Sequence, residues 1–300
     1  MLFFYPDTPD LTLPASHRFP AGKYRMLRRT IEEQAILGDW RLAPSPAAKI
    51  ADLSRAHSPG YVAAVLDGTV PADIQRRIGL PWSETLAQRS RATVGGSLAA
   101  ARRALRDGLS GQLAGGTHHA HRDFGSGYCV FNDLAVAALT LVEEGEARRI
   151  AIVDLDVHQG DGNAAILADH PDVFVVSLHG EKNFPFRKVP SDLDIGLPDG
   201  TGDRAYLAAL ADALEATAAF RPDLVLYLAG VDPLHSDTLG RLDLTFDGLM
   251  ARDRLVFEFC WRRDIPISIA IGGGYASPIS DSVQAYANTF RVAHEVYGRA

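Results

Sequence analysis

The chain has very little cysteine: Cys129 and Cys260 are the only two in 300 residues. They lie far apart and form no Cys-x-x-Cys pair. That argues against a thiolate metal site and against a disulfide framework. There is no basic stripe either. The formal net charge is -7 and the pI about 5.8, which speaks against a nucleic-acid partner. No unbroken apolar run approaches the roughly 20 residues a membrane span needs. The opening MLFFYPDTPD has no basic leader and reaches Pro6 after few apolar residues, so it does not read as a secretory signal. Repeats, low-complexity tracts and linkers are also missing. The expectation is a cytoplasmic protein with no membrane or nucleic-acid partner, one domain over residues 1–300.

What is present is an alternation of strand-like and helix-like segments. Residues 22 to 37 read as a helix. Ser58-Pro59 starts another, with Ser as N-cap and Pro at N1. Residues 84 to 107 form a long Ala/Arg helix that Gly95-Gly96 is expected to interrupt. QLAGG is a short buried strand that enters a His-rich loop, and Asn132 caps the helix that follows. Then RRIAIVDLDV, DVFVVSLH, DLVLYLAG and IPISIAIGGG read as strands separated by helices. Near-continuous Val/Ile/Leu strands point to a buried, mostly parallel sheet with helices on both faces, a three-layer α/β fold.

The polar residues fall just after these strands: His118 and His119, Asp154 to Asp161, Asp232, and Tyr275. In a parallel sheet those ends share one edge, where open α/β folds place their sites. In IVDLDVHQGDG, an extended backbone puts Asp154, Asp156 and His158 on one side. Buried carboxylates without a counter-charge are costly, and a divalent cation removes that cost. Asp156 and His158, with Asp232 from a second strand end, give three ligands and leave an open position. Zinc suits this set, and iron(II) or cobalt also fits. Histidine has the pKa for acid–base work, so His118 and His119 can move a proton. Asp154 and Asp161 remain to orient them. Tyr275, after three glycines, can donate to a developing oxyanion. Together these parts describe metal-assisted amide hydrolysis.

At this point a resemblance is visible. AGGTHHAHRDFGSGYCVFND, IVDLDVHQGDGNA, VVSLHGEKNFPF, LAGVDPLHSDTLGRLDLT and IGGGY resemble, in order and spacing, the blocks of zinc-dependent histone deacetylases and their bacterial relatives. The resemblance spans roughly residues 15 to 295. GRLDLTFDGLMARDRLVF and HGEKNFPFRK are most similar to the class IV branch. The resemblance implies an arginase/deacetylase fold. It gives Asp156, His158 and Asp232 as metal ligands, His118 and His119 as the acid–base pair, and Tyr275 as the carbonyl polariser. It also implies a structural potassium site. Backbone carbonyls of Asp154, Asp156, His158 and Leu178 would line it, with the Asp154 carboxylate and the Ser177 hydroxyl. Tyr128 and Phe186 (or Phe184) resemble the aromatic walls around an acyl-lysine stem, and Gly127 a carbonyl that contacts the substrate amide. The related arginases hold two metals with extra carboxylates, where this chain has Gly160 and Gly230. One metal site is therefore expected.

The sequence thus reads as a metal-dependent deacylase acting on acyl-lysine, with longer acyl groups accepted as well as acetyl. A hydrolase of acetylpolyamines or other small acetylated amines is the alternative enzyme. A non-catalytic binder of acylated ligands is the alternative outside catalysis, and the intact ligands and Tyr275 argue against it.

Overall fold

The computed structural model of the chain describes residues 1–14 and 16–298. Its elements run β1 (Leu2–Tyr5), α1 (Lys23–Glu33), β2 (Arg41–Pro44), α2 (Ile50–Ala56), α3 (Pro59–Asp67), α4 (Ala72–Ile78), α5 (Glu84–Asp107), β3 (Leu109–Gln112), α6 (Asp133–Glu143) and β4 (Ile150–Asp154). They continue with α7 (Asp161–Leu167), β5 (Val173–Gly180), β6 (Leu193–Leu197), α8 (Asp203–Phe220), β7 (Leu224–Leu228), α9 (Phe246–Trp261), β8 (Ile267–Ala270) and α10 (Ile279–Tyr297).

The eight strands form one sheet in the order β2-β1-β3-β8-β7-β4-β5-β6, and every pairing is parallel. The period of two along each strand divides its side chains between two cores. On β4, Ala151 and Val153 join the cluster of Leu27, Tyr206, Phe257 and Phe290. Ile150 and Ile152 join the opposite cluster, with Leu53, Leu98 and Phe131. Helices therefore cover both faces, the three-layer α/β arrangement of the arginase/deacetylase fold. Each fully buried Val, Leu or Ile contributes about 1.5–3 kcal/mol, so β4 and β7, buried at every position, are firmly packed platforms. Among the described residues no helix is long and apolar enough to cross a membrane.

The expected caps are present. Ser58 Oγ accepts from the Tyr61 amide, and Asn132 Oδ1 accepts from the Ala135 amide at 2.9 Å. Each such cap stabilises its helix by about 1 kcal/mol. One expectation fails: α5 runs through Gly95-Gly96 without interruption. A Cβ at 95 would strike the Pro46 carbonyl, and one at 96 would strike Ser45 and Gln112. The two glycines let the segment after β2 and the end of β3 lie against the helix, and that close approach outweighs their weak helix propensity.

Candidate active site

The sheet delivers its loops to one edge. Chain connections diverge around β4: the chain runs from β4 to β5 and β6 on one side, and later to β7 and β8 on the other. That switch point opens a crevice at the strand ends. The ladder of β4 stops at Asp154, opposite Ser177 on β5 and Leu228 on β7. Asp156 and His158 therefore sit in the loop beyond the strand rather than within it, and backbone contacts give that loop its shape. The Asp156 amide donates to Asp154 Oδ1, and the His158 amide to Asp156 Oδ1.

Asp156, His158 and Asp232 are all buried, and one ligand atom from each lies within 4.8 Å of the others. Nδ1 of His158 is 3.0 Å from Asp156 Oδ1 and 3.1 Å from Asp232 Oδ2. Both carboxylates are fixed by main chain: Val157 donates to Asp232 Oδ1 and Gly273 to Asp156 Oδ2. Among the described residues, neither carboxylate pairs with a lysine or arginine. Burial, with the Asp156 charge beside it, pushes Asp232 up to about 7. Burial opposes the charge on His158, yet the two carboxylates raise it to about 10. Two buried carboxylates facing one imidazole nitrogen form a donor set that fits a divalent cation. There is no room for the carboxylates of a second metal. A Cβ at Gly230 would lie 2.6 Å from Asp156 Cα, and one at Gly160 would run into Asp154 Oδ2.

His118 and His119 stand beside this cluster, their ring centroids 4.2 Å apart. Each has its own carboxylate. Nδ1 of His118 is 2.7 Å from Asp154 Oδ2, and Nδ1 of His119 is 2.6 Å from Asp161 Oδ1. These contacts set the ring orientations and leave both Nε2 atoms for other work. The two environments differ. Burial disfavours charge on His118, but Asp154 and Asp156 outweigh it and raise the group to about 9. Burial and the neighbouring His118 charge lower His119 to about 4. The two imidazoles are thus driven in opposite directions, His118 by its carboxylates and His119 by burial beside His118.

A cavity of about 770 Å³ opens over these groups, and Gly127, Tyr128, Phe184, Phe186 and Tyr275 line its walls. The Tyr275 amide donates to Asp237 Oδ2 at 2.6 Å, and Thr238 donates to its carbonyl. The phenol makes no hydrogen bond to the described residues. Burial raises its pKa well above the usual range, so it stays a donor. Tyr128 packs 5.9 Å from the Tyr275 ring. Phe184 meets the His119 ring edge-on at 4.9 Å. Gly127 has a φ of +52°, and a Cβ there would lie 2.6 Å from the His119 ring, so only glycine lets this loop pass so close. Phe186 stands at the mouth, 87% exposed. Of the two phenylalanines proposed as a wall, Phe184 is the one beside the histidines.

Residues 17–290 match the histone deacetylase domain. The chain belongs to the histone deacetylase family. It is accordingly a deacetylase-type amidohydrolase. It is 32% identical over 293 residues to histone deacetylase 2 of Arabidopsis thaliana, covering 93% of this chain and 76% of that one. It is 46% identical over 297 residues to an uncharacterized protein of Picosynechococcus, covering 98% of both. The HD domain of HDA15 superposes with a TM-score of 0.80 at 20% identity, over all of this chain and 91% of that one, and shares the fold.

Sequence reasoning missed several groups that hold this deacetylase site in place. His121 Nε2 shares Asp161 with His119, at 3.1 Å. The Asp133 carboxylate accepts from the Gly116 and Thr117 amides, just before the histidine pair. Asp237 accepts from the Tyr275, Leu239 and Gly240 amides. Lys23 is buried on α1, donates to the Gly274 carbonyl and Tyr286 Oη, and lies 4.6 Å from the Tyr275 ring centre. Only Asp237, in LHSDTLG, carried a sequence signal, as an acid in a polar loop after a buried strand.

Proposed function

We propose that this chain, acting as one catalytic domain in the cytoplasm, is a metal-dependent deacylase that hydrolyses the acyl-amide of acyl-lysine. The observation that carries the reading is the paired arrangement of His118 with Asp154 and His119 with Asp161, beside the Asp156–His158–Asp232 cluster. A divalent cation, zinc by donor type with iron(II) or cobalt as substitutes, would be held by those three residues and would supply Lewis acidity for the carbonyl and for a bound water.

The chain's own groups do the rest. His119, neutral and oriented by Asp161, takes the proton of the attacking water. The histidine pair then delivers that proton to the departing lysine nitrogen, with Asp154 orienting His118. The Tyr275 hydroxyl donates to the carbonyl oxygen as negative charge develops there. Tyr128 and Phe184 flank the aliphatic stem and exclude water, and Gly127 offers its carbonyl to the substrate amide. The reading includes a structural potassium ion near Asp154, Asp156, His158, Ser177 and Leu178. Its support is that the buried Ser177 lies opposite Asp154 in the ladder.

The test is a panel of acyl-lysine peptides from acetyl to long-chain, run beside acetylated diamines. Turnover of acyl-lysine with little dependence on flanking sequence, and with some long-chain activity, is the expected result. A clear preference for acetylated diamines over every acyl-lysine would make this a small-amine hydrolase instead. No turnover of any of them by metal-loaded protein would leave a binding role.

A further inference from the structure

The segment GLMARDRLVF, on α9, has no part in the chemistry described so far. Yet Arg252 is the bulkiest fully buried side chain among the described residues. Asp253 is buried with it, and its Oδ1 accepts from Arg252 Nε at 2.9 Å and Nη2 at 2.8 Å. The carboxylate is itself held: Tyr227 Oη donates to Oδ1 and Thr289 Oγ1 to Oδ2. A buried pair of this kind is poor insurance for stability, since apolar side chains of similar size often serve as well or better. Its orientation points to another use.

The free corner of the guanidinium, Nη1, faces two main-chain carbonyls. It donates to Gly230 O and lies 3.5 Å from Leu155 O, which also faces Tyr206 Oη at 3.4 Å. Leu155 sits between Asp154 and Asp156, and Gly230 is two residues before Asp232. The β4–β7 ladder ends at the pair Asp154 and Leu228. The Leu155 amide still reaches the Leu228 carbonyl, but the metal ligands lie beyond that last pairing. Arg252 therefore spans the place where the sheet stops holding the two loops together. Gly230 packs directly on Asp156 there, so any change in the loop spacing moves one ligand against another.

We propose that Arg252, locked by Asp253, is a positioning residue for the metal centre: it fixes the distance between the loop that carries Asp156 and the loop that carries Asp232. This rests on the metal-dependent reading above. The test uses the full chain stripped of metal and titrated with Co²⁺ against a competing chelator, with the visible Co²⁺ absorption recorded. The wild type should bind one ion per chain. Arg252→Met should weaken Co²⁺ binding about 10- to 100-fold, the range for loss of an outer partner. It should also change the visible bands, while metal-free circular dichroism shows a native fold that still unfolds cooperatively, at a lower midpoint because Asp253 loses its partner. Arg252→Lys keeps a charge against Asp253 but lacks the planar fork. It should fold, bind with intermediate affinity and show altered bands, and it decides the matter if Arg252→Met does not fold. Wild-type affinity and bands in Arg252→Lys would overturn the proposal, as would failure of both variants to fold. Should the wild type bind no metal, the metal reading itself falls; if it binds and the variants match it, only the role of Arg252 falls.

Discussion

The floor of the cavity and its mouth are built on opposite principles. On the floor, Asp154, Asp156, His158, Asp161, His118, His119 and Asp232 are all buried, and each has a hydrogen-bond partner. They rest on strand ends whose cores cannot shift without losing packing. At the mouth, Phe186 projects into solvent, and Lys182 and Arg241 share the exposed Asp199 at 3.9 and 3.2 Å. Exposed pairs of that kind contribute about 0–1 kcal/mol and are screened by salt. On the proposed reading the reaction rests on the packed groups of the floor, and the exposed groups of the mouth contribute little to it. Damage on the floor should therefore be large and specific in kind, whereas damage at the mouth should be small.

The largest effect belongs to Asp232. Asp232→Ala should remove the tightly held divalent ion, weakening binding beyond the ten- to hundredfold typical of an outer partner, and should abolish turnover. Elemental analysis after dialysis checks this: one ion per wild-type chain, and none in the variant. Two tightly bound ions in the wild type, or full occupancy in the variant, would break the picture of a single site walled in by Gly160 and Gly230. Next comes Tyr275→Phe, which should lower kcat by roughly 10² to 10³, the usual cost of one oxyanion donor, with metal content unchanged. Unaltered turnover would make Tyr275 a packed aromatic only.

Asp161→Asn should follow at roughly 10- to 100-fold in kcat, since an amide cannot fix the His119 tautomer as the carboxylate does. The metal should stay. If it leaves while the fold persists, Asp161 belongs among the ligands and the division of the DLDVHQGD loop must be redrawn. This variant also tests the second imidazole on Asp161, His121, because one carboxylate now serves two rings.

The same contrast governs how much of the molecule could be read from its sequence. The floor was legible because its residue types have few uses at strand ends: a D-x-H pair, a second Asp, a His pair and a Tyr after three glycines. The central strands were legible because both their faces are buried. β1, β2 and β6 were not foreseen; they lie outside the central run, and β6 alternates half-buried and exposed positions, with Asp194 in it. Gly95-Gly96 misled because the reason for glycine lies in the Pro46 and Gln112 segments that pack on it, not in the helix. Lys23 and Arg252 were hidden for a related reason. A cation on an amphipathic helix reads as solvated, and the partner that buries Lys23, Gly274, is 251 positions away. Local pattern cannot report a contact over that distance.

The smallest effect is expected at Phe186. Its ring touches Phe184 edge-on at 6.3 Å and is otherwise open to water. Its removal uncovers little apolar surface and leaves no polar group without a partner, so Phe186→Ala should change kcat/KM for acetyl-lysine peptides by only about twofold, in keeping with surface substitutions within ±0.5 kcal/mol. Phe184→Ala is the matched control. That ring packs on His119, so its loss should be felt more strongly, through both the wall of the cavity and the setting of the base. The two variants measured side by side, with kcat and KM separated, place the boundary between floor and mouth. A larger loss at Phe186 than at Phe184 would mean that the exposed ring folds over bound substrate, and the mouth would then share in the rigidity of the floor.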